Sequence, residues 1–293
     1  MPLIILGVSC EILLRKIPND YLAKRLYLDK NSDEVQVLIL GTSHSFYGID
    51  PSLLKLRGYN AAYVNQTLDY DWGILNKYKN HWHDLKFIIL PIDAQTLFIQ
   101  LATQDEEWRV KNYNIYYGIH DSYTLADNSE VFGNNFKVNK YKLQQYYLDH
   151  VSPITISALG WGESYKFTIH NNLDSTGITA AQRHNVASRA LFNQNVGILK
   201  SILEYAKANH VAVIFYRSPG YKSYVDHLNV DQLNQSNNEM ISLTKEYKNT
   251  VYYDYLRDTA FVAQDYYDAD HVNELGAKKI TDRMNSIISD LSR

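Results

Sequence analysis

Val35-Gln36-Val37-Leu38-Ile39-Leu40-Gly41-Thr42-Ser43-His44-Ser45 decides how the rest of the chain is read. A short apolar run that stops at a glycine marks a strand buried on both faces, as parallel sheets require. Asp50-Pro51 follows, a capping carboxylate before a proline at the first helical position, so a short helix opens there. Residues 59–64 (YNAAYV) read as a second strand. Over 67–82, Leu68, Trp72, Leu75 and Tyr78 recur at helical spacing. Residues 87–92 (FIILPI) read as a third strand, with Pro91 ending it or making it irregular.

The alternation lapses over about 99–180, a stretch rich in Tyr, Asn and charge that reads as a partly helical insertion. It then resumes. Val196, Leu199, Ile202, Leu203 and Ala206 share one helix face, 211–216 (VAVIFY) is a strand, and 233–247 fits a helix. Residues 251–256 are a last short strand, and Ile280, Met284, Ile287, Ile288 and Leu291 stripe a C-terminal helix. Strands alternating with helices predict an α/β fold: a three-layer α/β/α open parallel sheet, flavodoxin-like, with a large mid-chain insertion. Ligands on such sheets bind beyond the carboxyl ends of the strands, so motifs just after strands carry most weight.

Composition narrows the function classes. Lys+Arg 29 against Asp+Glu 32 leaves a formal charge of −3, which disfavours a nucleic-acid partner held by phosphate neutralisation. The apolar fraction of 45% in 293 residues is ample for a packed core. Cys10 is the single cysteine, which excludes an intrachain disulfide and a cysteine-ligated zinc site and leaves the compartment open. Tyr outnumbers Phe 25 to 9. Half-buried rings with hydroxyls at the surface explain that excess, and so do stacking platforms for sugars.

Residues 1–14 (MPLIILGVSCEILL) form an apolar run broken by Glu11 and followed by Arg15 and Lys16. A membrane-spanning helix needs about 20 apolar residues, and a secretory signal begins basic rather than ending so. Residues 1–20 are therefore either the remnant of a truncated membrane anchor or a helix capping the domain, and 21–293 form one domain carrying the insertion.

Two motifs could carry chemistry. Gly41-Thr42-Ser43-His44-Ser45 directly follows the first strand and places Ser43 at its carboxyl end, as a nucleophile or merely as a helix cap. Asp268-Ala269-Asp270-His271 precedes the last helix. A carboxylate three residues before a histidine reaches its Nδ1 across one turn and leaves Nε2 free to take a proton from a serine. Asp270 is the alternative orienting group, with poorer reach because it is adjacent to the histidine. Ser45 stands where a G-x-S-x-G elbow needs its second glycine, which disfavours an α/β-hydrolase. His81-Trp82-His83-Asp84 is no metal site on a helix, where i and i+2 do not share a face. Arg217, after a strand, is a candidate for holding a sugar carboxylate or phosphate, and Tyr221 and Tyr224 are candidate sugar platforms.

These blocks resemble the SGNH (GDSL-like) hydrolase and acyltransferase superfamily. Within it, the resemblance is to the branch of envelope-polysaccharide O-acylation proteins, which includes teichoic-acid D-alanylation and alginate-acetylation proteins. Leu38 to Ser45 is similar to the family's first block, with Thr42 in its Asp position, and Asp268 to Ala277 is similar to its last. The resemblance implies Ser43 as nucleophile, His271 as general base and Asp268 as its orienter, with no metal and no cofactor. The second block aligns with residues 59–66 and puts Asn65 where the oxyanion glycine stands. The third aligns with 92–96 and lacks the family's asparagine. Asn65, Gln66 or Gln95 is then left to supply the oxyanion donor. The resemblance further implies an esterase or O-acyltransferase for acetyl-type groups on an exported polysaccharide, working with a membrane-embedded acyl-transfer partner. It favours an extracytoplasmic domain tethered through its N-terminus over a cytoplasmic one. The alternative is a catalytically weak or inactive polysaccharide-binding or assembly component.

Overall fold

Val37–Ile39 forms a strand (β1) with every side chain buried, as an apolar run without polar alternation requires. It pairs in parallel with Gly58–Asn60 (β2) on one side and Phe87–Pro91 (β3) on the other. Ala212–Arg217 (β4) adds to β3, and Thr250–Asp254 (β5) to β4, again in parallel. The order across the sheet is β2-β1-β3-β4-β5. After β2 the chain crosses back over β1 to lay down β3, so a topological switch point lies between β1 and β3. The computed structural model describes residues 2–119, 122–169 and 171–293.

Alternation along the strands divides the core into two layers. Val37, Ile39, Phe87, Ile89, Ile214 and Tyr216 face the helix Glu274–Leu291 and pack on its Ile280, Met284, Ile287 and Ile288. Leu38, Ile88, Leu90, Val213 and Phe215 point the other way and are equally buried. On that side the helix Phe192–Ala208 buries Leu199, Ile202, Leu203 and Ala206, touches β4 and carries the helix Leu68–Lys77 against it. Each such Leu or Ile contributes about 1.5–3 kcal/mol by leaving water. The expected three-layer α/β/α fold is therefore present.

The second strand stops earlier than its residues suggest. Asn60 is fully buried, and its amide donates to the carbonyls of Ser45 and Ile49 while its Oδ1 accepts from Ala62 N–H. That side chain turns the backbone out of the ladder and ties β2 to the segment after β1.

The chain divides into two compact units. The sheet lies in Ser32–Gln100 with Ile156–Arg293, and the other unit is Met1–Asn31 with Leu101–Thr155. Residues 156–180, part of the insertion expected from sequence, thus belong with the sheet. The helix Leu173–His184 packs on Lys222–Val225 through Gly177, where a Cβ would lie 2.1 Å from Ser223 Oγ.

In the other unit, Pro2–Lys16 is a helix whose Glu11 accepts hydrogen bonds from Ser129 Oγ (2.7 Å) and from the N–H groups of Glu130 and Val131. The charge that breaks the apolar run therefore anchors the helix on the turn at 129–131. Ile4, Ile5, Leu6 and Val8 stay exposed and Leu14 is buried. No helix among the described residues is long and apolar enough to cross a membrane.

Candidate active site

Gly41 leaves β1 with φ +104°, and a Cβ there would lie 2.2 Å from Pro91 Cδ. Only glycine lets the chain turn this close to β3. Its N–H donates to Asp71 Oδ1 (2.7 Å), which also accepts from Gln66 Nε2 (2.6 Å). Burial pushes the Asp71 carboxyl up to about 7 against those two bonds. Thr42 caps the helix Ser43–Gly48: its Oγ1 accepts from His44 N–H (3.2 Å) and donates to Asp93 Oδ2 (2.8 Å) beyond the end of β3. Ser43 is thus fixed from both sides at the switch point.

The Asp268–His271 turn is closed by its own first side chain. Asp268 Oδ1 accepts from the N–H groups of Asp270 (3.2 Å) and His271 (2.9 Å) and lies 2.9 Å from His271 Nδ1. Asn273 then caps the helix Glu274–Leu291 through Leu275 N–H and Gly276 N–H. His271 Nε2 lies 2.8 Å from Ser43 Oγ. A hydroxyl, an imidazole and a carboxylate therefore stand in one hydrogen-bonded line.

Around that line is a set of groups with little sequence signal. Asp270 is buried, with Oδ1 3.5 Å from His271 Nδ1 and Oδ2 3.9 Å from both His44 Nε2 and His184 Nε2. His44 Nδ1 lies 2.7 Å from Asp93 Oδ2, and His184 Nδ1 bonds Tyr224 Oη at 2.8 Å. Burial alone would raise the Asp270 carboxyl, but His271, His184 and His44 hold it well below the usual carboxylate range. Burial likewise opposes charge on His271, yet Asp270 and Asp268 hold its imidazole well above the ordinary histidine value. Burial pushes His184 down to about 4 against the pull of Asp270. His44, Asp270 and His271 bring three ligand-type atoms within 4.8 Å of one another. Ser43 and Asp268 already occupy both His271 nitrogens, so the cluster reads as a charge network.

Three tyrosines wall the site. Tyr47 stacks on Tyr165 with ring centroids 3.5 Å apart, and Tyr165 on Tyr267 at 3.8 Å. Tyr165 meets the His271 ring edge-on at 5.4 Å. Nothing in the pattern around these tyrosines marks them, because the stack joins three separated segments.

The other sequence candidates are placed as follows. Asn65 is exposed with φ +56°, a conformation glycine takes freely and asparagine tolerates better than most. Gln66 is buried with its amide on Asp71. Gln95 is buried, and its Oε1 has no hydrogen-bond partner among the described residues. Arg217 is buried with its donors spent on Ile92 O, Asn237, Asp254 and Ser236, so it braces the end of β4. Tyr221 is half-buried, edge-to-face with Tyr266.

No family model matches the sequence, and no curated protein matches it. Among solved structures, the crystal structure of a “putative acylhydrolase” from Bacteroides fragilis NCTC 9343 is similar at 11% identity with a TM-score of 0.44, over 91% of this chain and 96% of that one.

Proposed function

We propose that the protein is a serine esterase or O-acyltransferase working through an acyl-enzyme on Ser43. The observation that carries this reading is Ser43 Oγ at 2.8 Å from His271 Nε2, with Asp268 on the far ring nitrogen. Ser43 Oγ attacks the acyl carbonyl as its proton passes to His271 Nε2, and Asp268 holds the tautomer and the imidazolium that forms. The tetrahedral intermediate collapses, the C–O bond to the alcohol breaks, and the alcohol leaves with the proton from His271. Water or a sugar hydroxyl then gives its proton to His271 and attacks the acyl carbon, the acyl–Oγ bond breaks, and His271 returns the proton to Ser43 Oγ. The N–H groups of Ser43 and Asn65 are the proposed oxyanion donors, with Asn65 keeping the backbone shape a glycine would give. No step calls for a metal or an organic cofactor.

The substrate class proposed is an O-acylated polysaccharide, with the Tyr47–Tyr165–Tyr267 stack supporting it as an aromatic wall beside His271. A fluorophosphonate probe tests the chemistry. Mass spectrometry is expected to find the adduct on Ser43, and His271→Ala to abolish it. Folded protein that takes neither the probe nor a small acetyl ester would favour the assembly-component reading.

For location we propose a lipid surface. Ile4, Ile5, Leu6 and Val8 are exposed on one short helix that ends in Arg15 and Lys16, the pattern of a segment that beds its apolar turns beside anionic headgroups. The protein is expected to co-sediment with phosphatidylglycerol vesicles and Ile5→Glu/Val8→Glu to stay in solution. Equal sedimentation of both would refute the placement.

A further inference from the structure

We propose that Asp270 is a second carboxylate partner of His271, a positioning residue that sets the charge state of the base while Asp268 sets its orientation. The inference rests on the reading of Ser43 and His271 as nucleophile and base. It goes beyond that reading because a single Ser–His–Asp line has no place for a second buried carboxylate.

The geometry divides the labour. Asp268 makes the short contact with Nδ1 at 2.9 Å and also binds the His271 N–H, so it fixes ring and backbone together. Asp270 Oδ1 sits at 3.5 Å from the same nitrogen, long for a hydrogen bond but close for a charge. Adjacent residues reach one ring here because Asp268 Oδ1 pulls in the Asp270 N–H and curls the turn. Asp270 is only 2% exposed, so little water screens it.

Titratable groups face it from three elements. His271 and Asp268 come from its own turn, His44 from the helix Ser43–Gly48, and His184 from the helix Leu173–His184. Behind these stand Asp93 on His44 and Tyr224 on His184. Arg217 lines the same small cavity, but its donors are engaged elsewhere. The His271 imidazolium beside it favours the ionised form of Asp270, and an ionised Asp270 favours the imidazolium of His271.

The sign follows. A general base must be neutral to accept the serine proton, so reactivity rises with pH through the His271 titration. Stabilising the imidazolium moves that rise to higher pH and makes the neutral ring a stronger proton acceptor. Removing the Asp270 charge should do the reverse, whereas removing the Asp268 charge should shift the rise the same way and also lower the plateau by losing the orientation.

The test measures the rate of fluorophosphonate labelling against pH for wild type, Asp270→Asn and Asp268→Asn. The His271 ring is titrated in parallel by NMR with ¹⁵N-histidine. In Asp270→Asn the rise is expected at lower pH, so that on the acid side of the wild-type midpoint this variant labels about 3- to 10-fold faster relative to its own plateau. The NMR midpoint should move the same way. Asp270→Ser, which removes the charge without setting an amide N–H against His44 and His184, covers failure of the Asn variant to fold. An unchanged NMR midpoint in a folded Asp270 variant overturns the proposal. If wild-type Ser43 takes no probe, the hydrolase reading fails while the NMR titration still decides the role of Asp270.

Discussion

Ser43→Ala and His271→Ala are each expected to lower turnover of a small acetyl ester by about 10⁴- to 10⁶-fold, and the double variant to lose no more than the worse single. The reason is mechanical. Ser43 Oγ is an ordinary alcohol until His271 Nε2, 2.8 Å away, can take its proton. Without the imidazole the hydroxyl has no acceptor, and without the hydroxyl the imidazole has nothing to activate. The two act as one unit, so their effects cannot add. Initial rates with the uncatalysed background subtracted decide the matter. Losses that multiply would mean that serine and histidine work separately, and the hydrogen-bonded line would then be a structural contact only.

Gly41→Ala is expected to destabilise the protein by about 2–4 kcal/mol, the sum of forcing a close contact and holding a side chain at positive φ. The new Cβ would fall 2.2 Å from Pro91 Cδ and 2.5 Å from Pro91 Cγ, both part of a rigid ring on β3. Neither β1 nor β3 can retreat, since both lie inside the sheet. Relief is left to the turn itself, which displaces Thr42 and Ser43, so labelling of Ser43 should fall along with the urea midpoint. Gly197→Ala is the control. Gly197 is exposed within the helix Phe192–Ala208 and a Cβ there meets nothing within 4 Å, so alanine should stabilise by about 0.5–1 kcal/mol. Equal midpoints for wild type and Gly41→Ala would mean that the turn is not the constraint described.

The sheet is legible in the sequence because its central strands are short apolar runs ended by breakers such as Gly41 and Pro91. The Ser43–His271 pairing is legible for a related reason. Each residue follows a local rule, one at a strand end and one at i+3 from a carboxylate, and the fold brings the two ends together. Asp270 is visible only as the weaker neighbour, since adjacency in sequence says nothing of how Asp268 curls the turn. His184 has no local signal at all. It sits at the end of a helix in a segment without motifs and gains meaning only by facing Asp270. Gln66 and Arg217 carry donors suited to a substrate, but other carboxylates, the buried Asp71 and the exposed Asp254, take donors of theirs up. Residue type and spacing reveal what a side chain can bind, and packing decides what it does bind.

The chain separation of 228 residues between Ser43 and His271 has a consequence for biosynthesis. A ribosome delivers the serine turn early and the histidine turn late, after every strand of the sheet. Throughout that interval the proposed nucleophile has only ordinary alcohol reactivity, because its proposed proton acceptor has not emerged. Closing so long a loop also carries a chain-entropy cost that only a completed sheet can offset. On the proposed mechanism the serine is therefore armed last. An unfinished or partly unfolded molecule meets acyl groups harmlessly, and a reactive Ser43 reports that the whole sheet-bearing unit has closed.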